Sequence, residues 1–102
     1  MKISIITISY NAENTIKNTL KSIENQSYNN IEHIIIDGGS KDSTLEICNS
    51  FFHETKIISE SDNGVYDAFN KGLKLATGDV IGFLNADDTF YNENSIQDIV
   101  DA

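Results

Sequence analysis

Asn85-Ala86-Asp87-Asp88 places two adjacent carboxylates directly after an apolar stretch that ends at Leu84. Neighbouring negative charges repel unless something positive lies beside them, and hard oxygen ligands of this kind suit Mg2+ or Mn2+, which typically hold a few protein carboxylates together with substrate phosphate oxygens. The same tetrapeptide also suits a solvated turn in which Asp88 caps the next helix. A second group, Asp37-Gly38-Gly39-Ser40, sets an acid at a strand end beside glycines that let a ligand approach the backbone closely. Its carboxylate could accept hydrogen bonds from a base or a ribose, and a plain left-handed turn accounts for it equally. The third group runs from Glu60-Ser61-Asp62-Asn63-Gly64 into Tyr66-Asp67-Ala68-Phe69-Asn70-Lys71-Gly72. Asp67, Asn70 and Lys71 fall within about one helical turn and can face one pocket from a helix start, whereas helix capping by Asp62 or Asn63 over a solvated face is the alternative. Gly72 inside that helix costs up to about 1 kcal/mol relative to alanine. Close packing against a sheet or a ligand would offset it.

Several chemistries find no support. The Asp37 turn lacks the Gly-Lys-Ser/Thr ending of a Walker loop and is not a Gly-x-Gly-x-x-Gly fingerprint. Lys41 and Asp42 stand where a calcium loop needs alternating ligands and a turn glycine. There is no Gly-x-Ser-x-Gly nucleophile. His33 and His53 have no partners at metal-ligand spacing and read as structural. A net charge of -9, with seven Lys and Arg and no basic run, argues against nucleic acid as a partner. Cys48 is single, so it forms no internal disulfide and reads as a small buried apolar residue in a reducing compartment. Thr7, Ser9, Asn11 and Glu13 interrupt the first apolar run well short of a secretory or membrane-spanning length. The expectation is a cytoplasmic domain.

These residues must be positioned by elements that alternate between two periods. The 102 residues leave room for one core. Ile3 to Ile8 is a β-branched run, followed by Ile16, Leu20 and Ile23 at helical spacing with Asn11 or Asn14 as cap. Ile31 to Ile36 forms a second strand, continuous enough to be covered on both faces. A helix through Leu45, Cys48 and Phe52 follows, capped by Ser40 or Asp42. Lys56 to Ser59 is a third strand. Gly64 to Ala76 is a helix, with Gly78 as a left-handed C-terminal cap. Asp79 to Leu84 is a fourth strand, and Asn92 to Val100 a last helix. Four β-α units in succession predict an α/β fold, a doubly wound, mostly parallel sheet with helices on both faces. In such sheets ligands bind beyond the carboxyl ends of the strands, and the polar clusters fall there.

In their order along the chain, these segments resemble the N-terminal half of family 2 glycosyltransferases with the Rossmann-like GT-A fold, over essentially all of residues 1–102. Ile5 to Glu13 is similar to the family's opening strand and nucleotide-contacting turn. Ile35 to Thr44 resembles its acid-rich turn. Asp62 to Gly78 follows its Asp-x-Gly, Tyr-Asp-Ala, Asn-Lys-Gly and Ala-x-Gly pattern. Leu84 to Asp88 looks like its Asp-x-Asp region. Gly38 replaces the second Asp of the family's Asp-Asp-Gly-Ser, and Asn85 replaces the first acid of Asp-x-Asp.

The resemblance implies a nucleotide-diphosphate sugar donor bound by Thr7, Ser9, Tyr10, Asn11, Glu13, Asp37, Gly38, Asp62, Asp67, Asn70, Lys71, Asn85, Ala86 and Asp87. It implies a divalent metal, Mn2+ or Mg2+, on Asp87 and Asp88. Transfer with inversion to a hydroxyl of a saccharide or lipid-linked acceptor is implied too, as is a role in surface polysaccharide synthesis at or near the cytoplasmic membrane face. The family's catalytic base is expected beyond Ala102, with the acceptor-binding half, so this chain holds none. Apolar surface left uncovered without that half could drive homodimerisation. A nucleotide-sugar-binding module without catalysis is the alternative. A Mg2+-dependent phosphotransfer domain is the other, although Ser9-Tyr10-Asn11 offers no acid after the first strand, where such domains generally carry one.

Overall fold

Ile3–Ser9 (β1), Ile31–Asp37 (β2), Thr55–Ser59 (β3) and Val80–Phe83 (β4) form one sheet in the order β3-β2-β1-β4. All three pairings are parallel. The computed structural model describes residues 1–51, 55–61 and 65–102, without the side chains of residues 65 and 66. Four helices alternate with the strands: α1 (Ile16–Glu24), α2 (Thr44–Asn49), α3 (Val65–Leu75) and α4 (Ser95–Asp101). The predicted β-α alternation and doubly wound architecture are therefore present, with element ends differing by one to three residues. Among the described residues, no helix is long and apolar enough to cross a membrane.

Strand side chains alternate between faces, and the register turns this into two cores. Ile35 packs with Ile16 and Leu20 of α1 and Cys48 of α2, while Ile3 and Ile5 meet Ile23 and Ile96. On the opposite face, Ile6, Ile34 and Ile36 pack around Ala68 of α3. The unbroken Ile34-Ile35-Ile36 run is explained by this, since each successive residue must satisfy a different apolar layer. Burying such a side chain contributes roughly 1.5–3 kcal/mol.

Some local expectations are corrected. Thr15 begins α1 without a side-chain cap bond, so neither Asn11 nor Asn14 caps it. Ser43 occupies the corresponding position in α2, and Asp42 acts from one residue earlier, its Oδ1 accepting the Thr44 amide at 2.9 Å. Gly78 is not left-handed: among the described residues only Gly39 and Asn11 have positive φ, 87° and 46°. Gly78 is instead pressed on β1, where a Cβ would come within 2.5 Å of Ser4 Oγ. Gly72 is explained by the sheet, since a Cβ there would come 2.6 Å from Ile6 Cγ2. Phe52, His53, Asp62, Asn63 and Gly64 lie outside the described residues.

A buried carboxylate escaped the sequence reading. Glu32, 1% exposed, ties together the amino-terminal ends of the strands, accepting from Ser4 Oγ at 2.8 Å, the Thr77 amide at 2.9 Å and Lys56 Nζ at 2.8 Å. Burial pushes its carboxyl up, but Lys56 and the hydrogen bonds from Thr77 and Ser4 outweigh that and bring it to about 2.

Candidate functional site

At the carboxyl ends of the strands, β1 runs into Tyr10-Asn11-Ala12 and β4 into Asn85-Ala86-Asp87. β2 and β3 lie on one side of β1 and β4 on the other, so the two turns flank the point where strand order reverses. Ligand crevices of open α/β sheets form at such points. A cleft of about 350 Å³ lies there, lined by Ile8, Tyr10, Asn11, Ala12, Thr15, Asn85, Ala86 and Asp87. Tyr10, one of these lining residues, is 59% exposed.

Ala86 explains how the acidic turn is oriented. Its side chain is buried and packs with Ile16, Leu20, Ile35 and Cys48, while Asn85, Asp87 and Asp88 on either side remain exposed. The turn is closed by the Asp88 amide donating to Asn85 O at 3.0 Å. Asp88 does not cap α4, which starts at Ser95 behind Asn94. Neither the Asp87 nor the Asp88 carboxylate takes part in a hydrogen bond or ion pair among the described residues. Among the described residues, no three His, Cys, Asp or Glu side chains are grouped to hold a metal ion by themselves. Asp87 at the cleft, with Asp88 next to it in the chain, is an oxygen donor set of the kind that suits Mg2+ or Mn2+, whose remaining ligands would come from substrate and water.

The opposite wall is braced by an exchange of hydrogen bonds between two turns. The amides of Asn11, Ala12 and Glu13 donate to Ser40 Oγ at 2.8 Å, Thr44 Oγ1 at 2.8 Å and Asp42 Oδ2 at 3.2 Å. In return the Lys41 amide donates to Asn11 Oδ1 at 2.9 Å and the Ser43 amide to Glu13 Oε2 at 3.1 Å. The left-handed backbone of Asn11 is one that its short polar side chain tolerates. Glu13 thus braces the turn and is not among the cleft's lining residues.

Asp37 sits behind this wall with 0% exposure. It accepts from Ser9 Oγ, Ser40 Oγ, the Gly39 and Ser40 amides and Ser59 Oγ, at 2.5–3.1 Å. A carboxylate offers about four lone-pair sites, so these donors leave no acceptor capacity for a ligand. Burial raises its pKa and the Ser40, Ser9 and Ser59 bonds lower it by more, so the group stays ionised.

Of the other residues singled out from sequence, Thr7 is buried with Oγ1 2.7 Å from His33 Nε2, and Ser9 is spent on Asp37. Gly38 is half-buried and its amide donates to Ser9 O. Lys71 bridges Glu60 at 2.8 Å and Asp67 at 3.2 Å, and Asn70 is exposed. The hydrogen bond to Glu60, followed by Asp67, holds the Lys71 ammonium above its ordinary range. None of Thr7, Ser9, Asp37, Asp67, Asn70 and Lys71 lines the cleft, whereas Tyr10, Asn11, Asn85, Ala86 and Asp87 all do. The sequence reading missed Ile8, Ala12 and Thr15 as lining residues, because nothing in their types distinguishes them from strand and helix positions. Cys48 is no nucleophile: burial, with the Asp37 charge, pushes its thiol up to about 11.

The sequence profile of the family described as Glycosyl transferase family 2 matches residues 4–102. A PGL/p-HBAD biosynthesis glycosyltransferase of Mycobacterium tuberculosis is 41% identical over 97 residues, covering 91% of this chain and 38% of the relative. An uncharacterized glycosyltransferase of Haemophilus influenzae is 42% identical over 95 residues, covering 89% of this chain and 38% of its own length. The chain therefore spans well under half the length of the curated relatives it matches. Among solved structures, S. aureus TarS 1-349 in complex with UDP-GlcNAc superposes with a TM-score of 0.92 at 28% identity, over 99% of this chain and 30% of that one. The mannosyltransferase PcManGT of Pyrobaculum calidifontis, in complex with GDP-Man and Mn2+, shares the fold with a TM-score of 0.90 at 22% identity, over 97% of this chain and 31% of that one.

Proposed function

The chain belongs to glycosyl transferase family 2, and on that premise we propose that residues 1–102 form the nucleotide-sugar-binding half of a metal-assisted, inverting glycosyltransferase. The observation that carries the reading is the cleft between the β1 and β4 ends, lined by the exposed Tyr10 after one strand and by Asn85, Ala86 and Asp87 after the other. Support for a nucleotide-sugar donor comes from the likeness to the TarS complex with UDP-GlcNAc.

In this reading the nucleoside lies against Tyr10 and Asn11, and the diphosphate lies toward Asn85, Asp87 and Asp88. Asp37 acts at one remove, through the Ser9, Gly39 and Ser40 groups it holds, with the Gly38 backbone nearer the donor. Thr7 and Glu13 likewise support the wall from behind. Asp67, Asn70 and Lys71 are assigned to the donor's sugar side, Lys71 exchanging its carboxylate partners for the donor. Asp62 belongs to the same assignment by its place in the motif. Asp87 and Asp88 would hold the divalent cation, which supplies charge neutralisation to the departing nucleoside diphosphate. Without a cation those carboxylates repel the diphosphate, so they disfavour donor binding by themselves.

The base that deprotonates the acceptor hydroxyl is assigned to the further length that the relatives possess, as is the acceptor site. A saccharide or lipid-linked acceptor, surface polysaccharide synthesis, a cytoplasmic location at the membrane face and homodimerisation complete the proposal. A module that binds nucleotide sugar without transferring it is the second reading, favoured by a cleft in which Asp87 is the one carboxylate among the described lining residues.

Calorimetric titration of UDP-GlcNAc and a GDP-sugar, each with and without Mn2+, tests the reading on the wild type and on Asp87→Asn/Asp88→Asn. We expect metal-supported binding, weakened at least about tenfold in the double variant, as for loss of charged ligands. A folded wild type that binds neither donor in either condition rules the reading out.

A further inference from the structure

Between the end of β4 at Phe83 and the start of α4 at Ser95 the chain has no helix or strand, yet this stretch carries the acidic turn. Its position is set by side chains of α1 and of the turn that follows it. Thr19 and Ser22 lie three residues apart on one face of that helix, and Gln26 follows just past its end at Glu24. Thr19 Oγ1 donates to Asp88 O at 2.6 Å and lies 3.0 Å from Ala86 O, one hydroxyl hydrogen between two carbonyls. Ser22 Oγ accepts the Phe90 amide at 3.2 Å. Gln26 donates through Nε2 to Asn92 O at 2.8 Å and accepts the Ile96 amide at 3.0 Å.

We propose that Thr19 is the positioning residue for the Ala86–Asp88 turn, and through it for the phosphate and metal side of the cleft. Three observations converge. Thr19 is completely buried, so its hydroxyl has no exchange with water to fall back on. A helical threonine ordinarily turns its hydroxyl back to a carbonyl of its own helix, but here it points to a segment 67 and 69 residues further along. The two carbonyls it holds bracket Asp87, a lining residue of the cleft. Ala86 fixes the turn's depth by apolar packing, which has no direction. The Thr19 hydrogen bonds add the direction that decides where Asp87 and Asp88 aim.

This inference rests on the donor-site reading for its functional consequence, and its geometric part can be tested separately. Thr19→Val keeps the shape and removes the donor; Thr19→Ser keeps the donor. UDP binding is titrated with and without Mn2+ on all three proteins, after cooperative thermal unfolding has been verified for each. Loss of a buried hydrogen bond at a positioning residue should weaken Mn2+-supported UDP binding by about tenfold in Thr19→Val. Metal-free UDP binding should stay within about twofold, and Thr19→Ser should stay within about twofold throughout, since its hydroxyl remains. Equal weakening with and without metal, or none in Thr19→Val, overturns the proposal. Should the wild type bind no UDP at all, the donor-site reading fails, and amide exchange decides the geometric part. Faster exchange at Asp88 in Thr19→Val, with unchanged exchange in α1, supports it. Unchanged exchange at Asp88 overturns it. If Thr19→Val does not fold, failure of Thr19→Ser to retain wild-type Mn2+-supported binding and Asp88 protection also overturns the proposal, and retention of both supports it.

Discussion

Ser9 Oγ donates to Asp37 Oδ1 at 2.8 Å across the β1–β2 ladder, joining residues 28 positions apart at the carboxyl ends of paired strands. The same carboxylate holds Ser40, whose hydroxyl accepts the Asn11 amide at 2.8 Å. One buried charge thereby links the ends of β1 and β2 to the wall of the cleft, and Ser59 Oγ brings in β3 at 2.9 Å.

Replacing Asp37 by Asn should destabilise the fold by roughly 1–3 kcal/mol, since one acceptor oxygen becomes a donor amide facing other donors. The folded-state pKa is depressed, so the carboxylate's contribution is complete above the unfolded pKa and is lost as pH falls through the folded value. The difference in Tm between wild type and Asp37→Asn should accordingly be largest near neutral pH and narrow in acid. A constant difference from neutral to acidic pH contradicts this assignment.

Glu32 makes a comparable prediction at the opposite end of the sheet. Its carboxyl lies at about 2 against an ordinary 4.5, so its stabilisation is present above about 4.5 and drains away as pH falls toward about 2. Glu32→Gln should lower stability at neutral pH by roughly 1–3 kcal/mol, because Lys56 and the Thr77 amide lose their charged acceptor. Urea unfolding at a series of pH values measures this. A variant as stable as wild type at neutral pH would show that the cluster contributes nothing net.

Gly72→Ala should destabilise although alanine is the better helix former. The added Cβ would lie 2.6 Å from Ile6 Cγ2 in the buried layer between α3 and β1, and such overpacking costs roughly 1–3 kcal/mol. The gain in helix propensity is about 1 kcal/mol. A higher urea midpoint for Gly72→Ala would mean that α3 can withdraw from the sheet freely.

Tyr10→Ala should weaken nucleotide binding by about tenfold if a base stacks on the exposed ring, an interaction worth roughly 1–3 kcal/mol elsewhere. Tyr10→Phe should bind within about twofold of wild type, because stacking uses the ring and not the hydroxyl. Thermal stability should be the same for all three, since the ring is 59% exposed. Titration with UDP checks the order; equal affinity for Tyr10→Ala and wild type removes Tyr10 from the donor site.

The alternation of β-branched runs with helical stripes was enough to give the parallel α/β sheet, because strand and helix periods are properties of neighbouring residues. The cleft-facing residues Tyr10, Asn11, Asn85 and Asp87 were also legible, as they fall just after strand ends, where backbone direction alone carries them to one edge of the sheet. What adjacency in sequence cannot fix is which polar group spends itself on which other. Asp37 and Asp87 are alike as letters at strand ends, yet packing under the Ser40 turn saturates one with donors and burial of Ala86 leaves the other uncommitted. Gly72 reads the same whether it yields to a ligand or a sheet, and only the approach of Ile6 decides it. Thr19 gives no signal beside Ile16, Leu20 and Ile23, since its partners lie 67 and 69 residues away and meet it only when β4 pairs with β1. Periodicity is local and so was readable; hydrogen-bond saturation is a property of the closed fold, and the tertiary structure alone decided it.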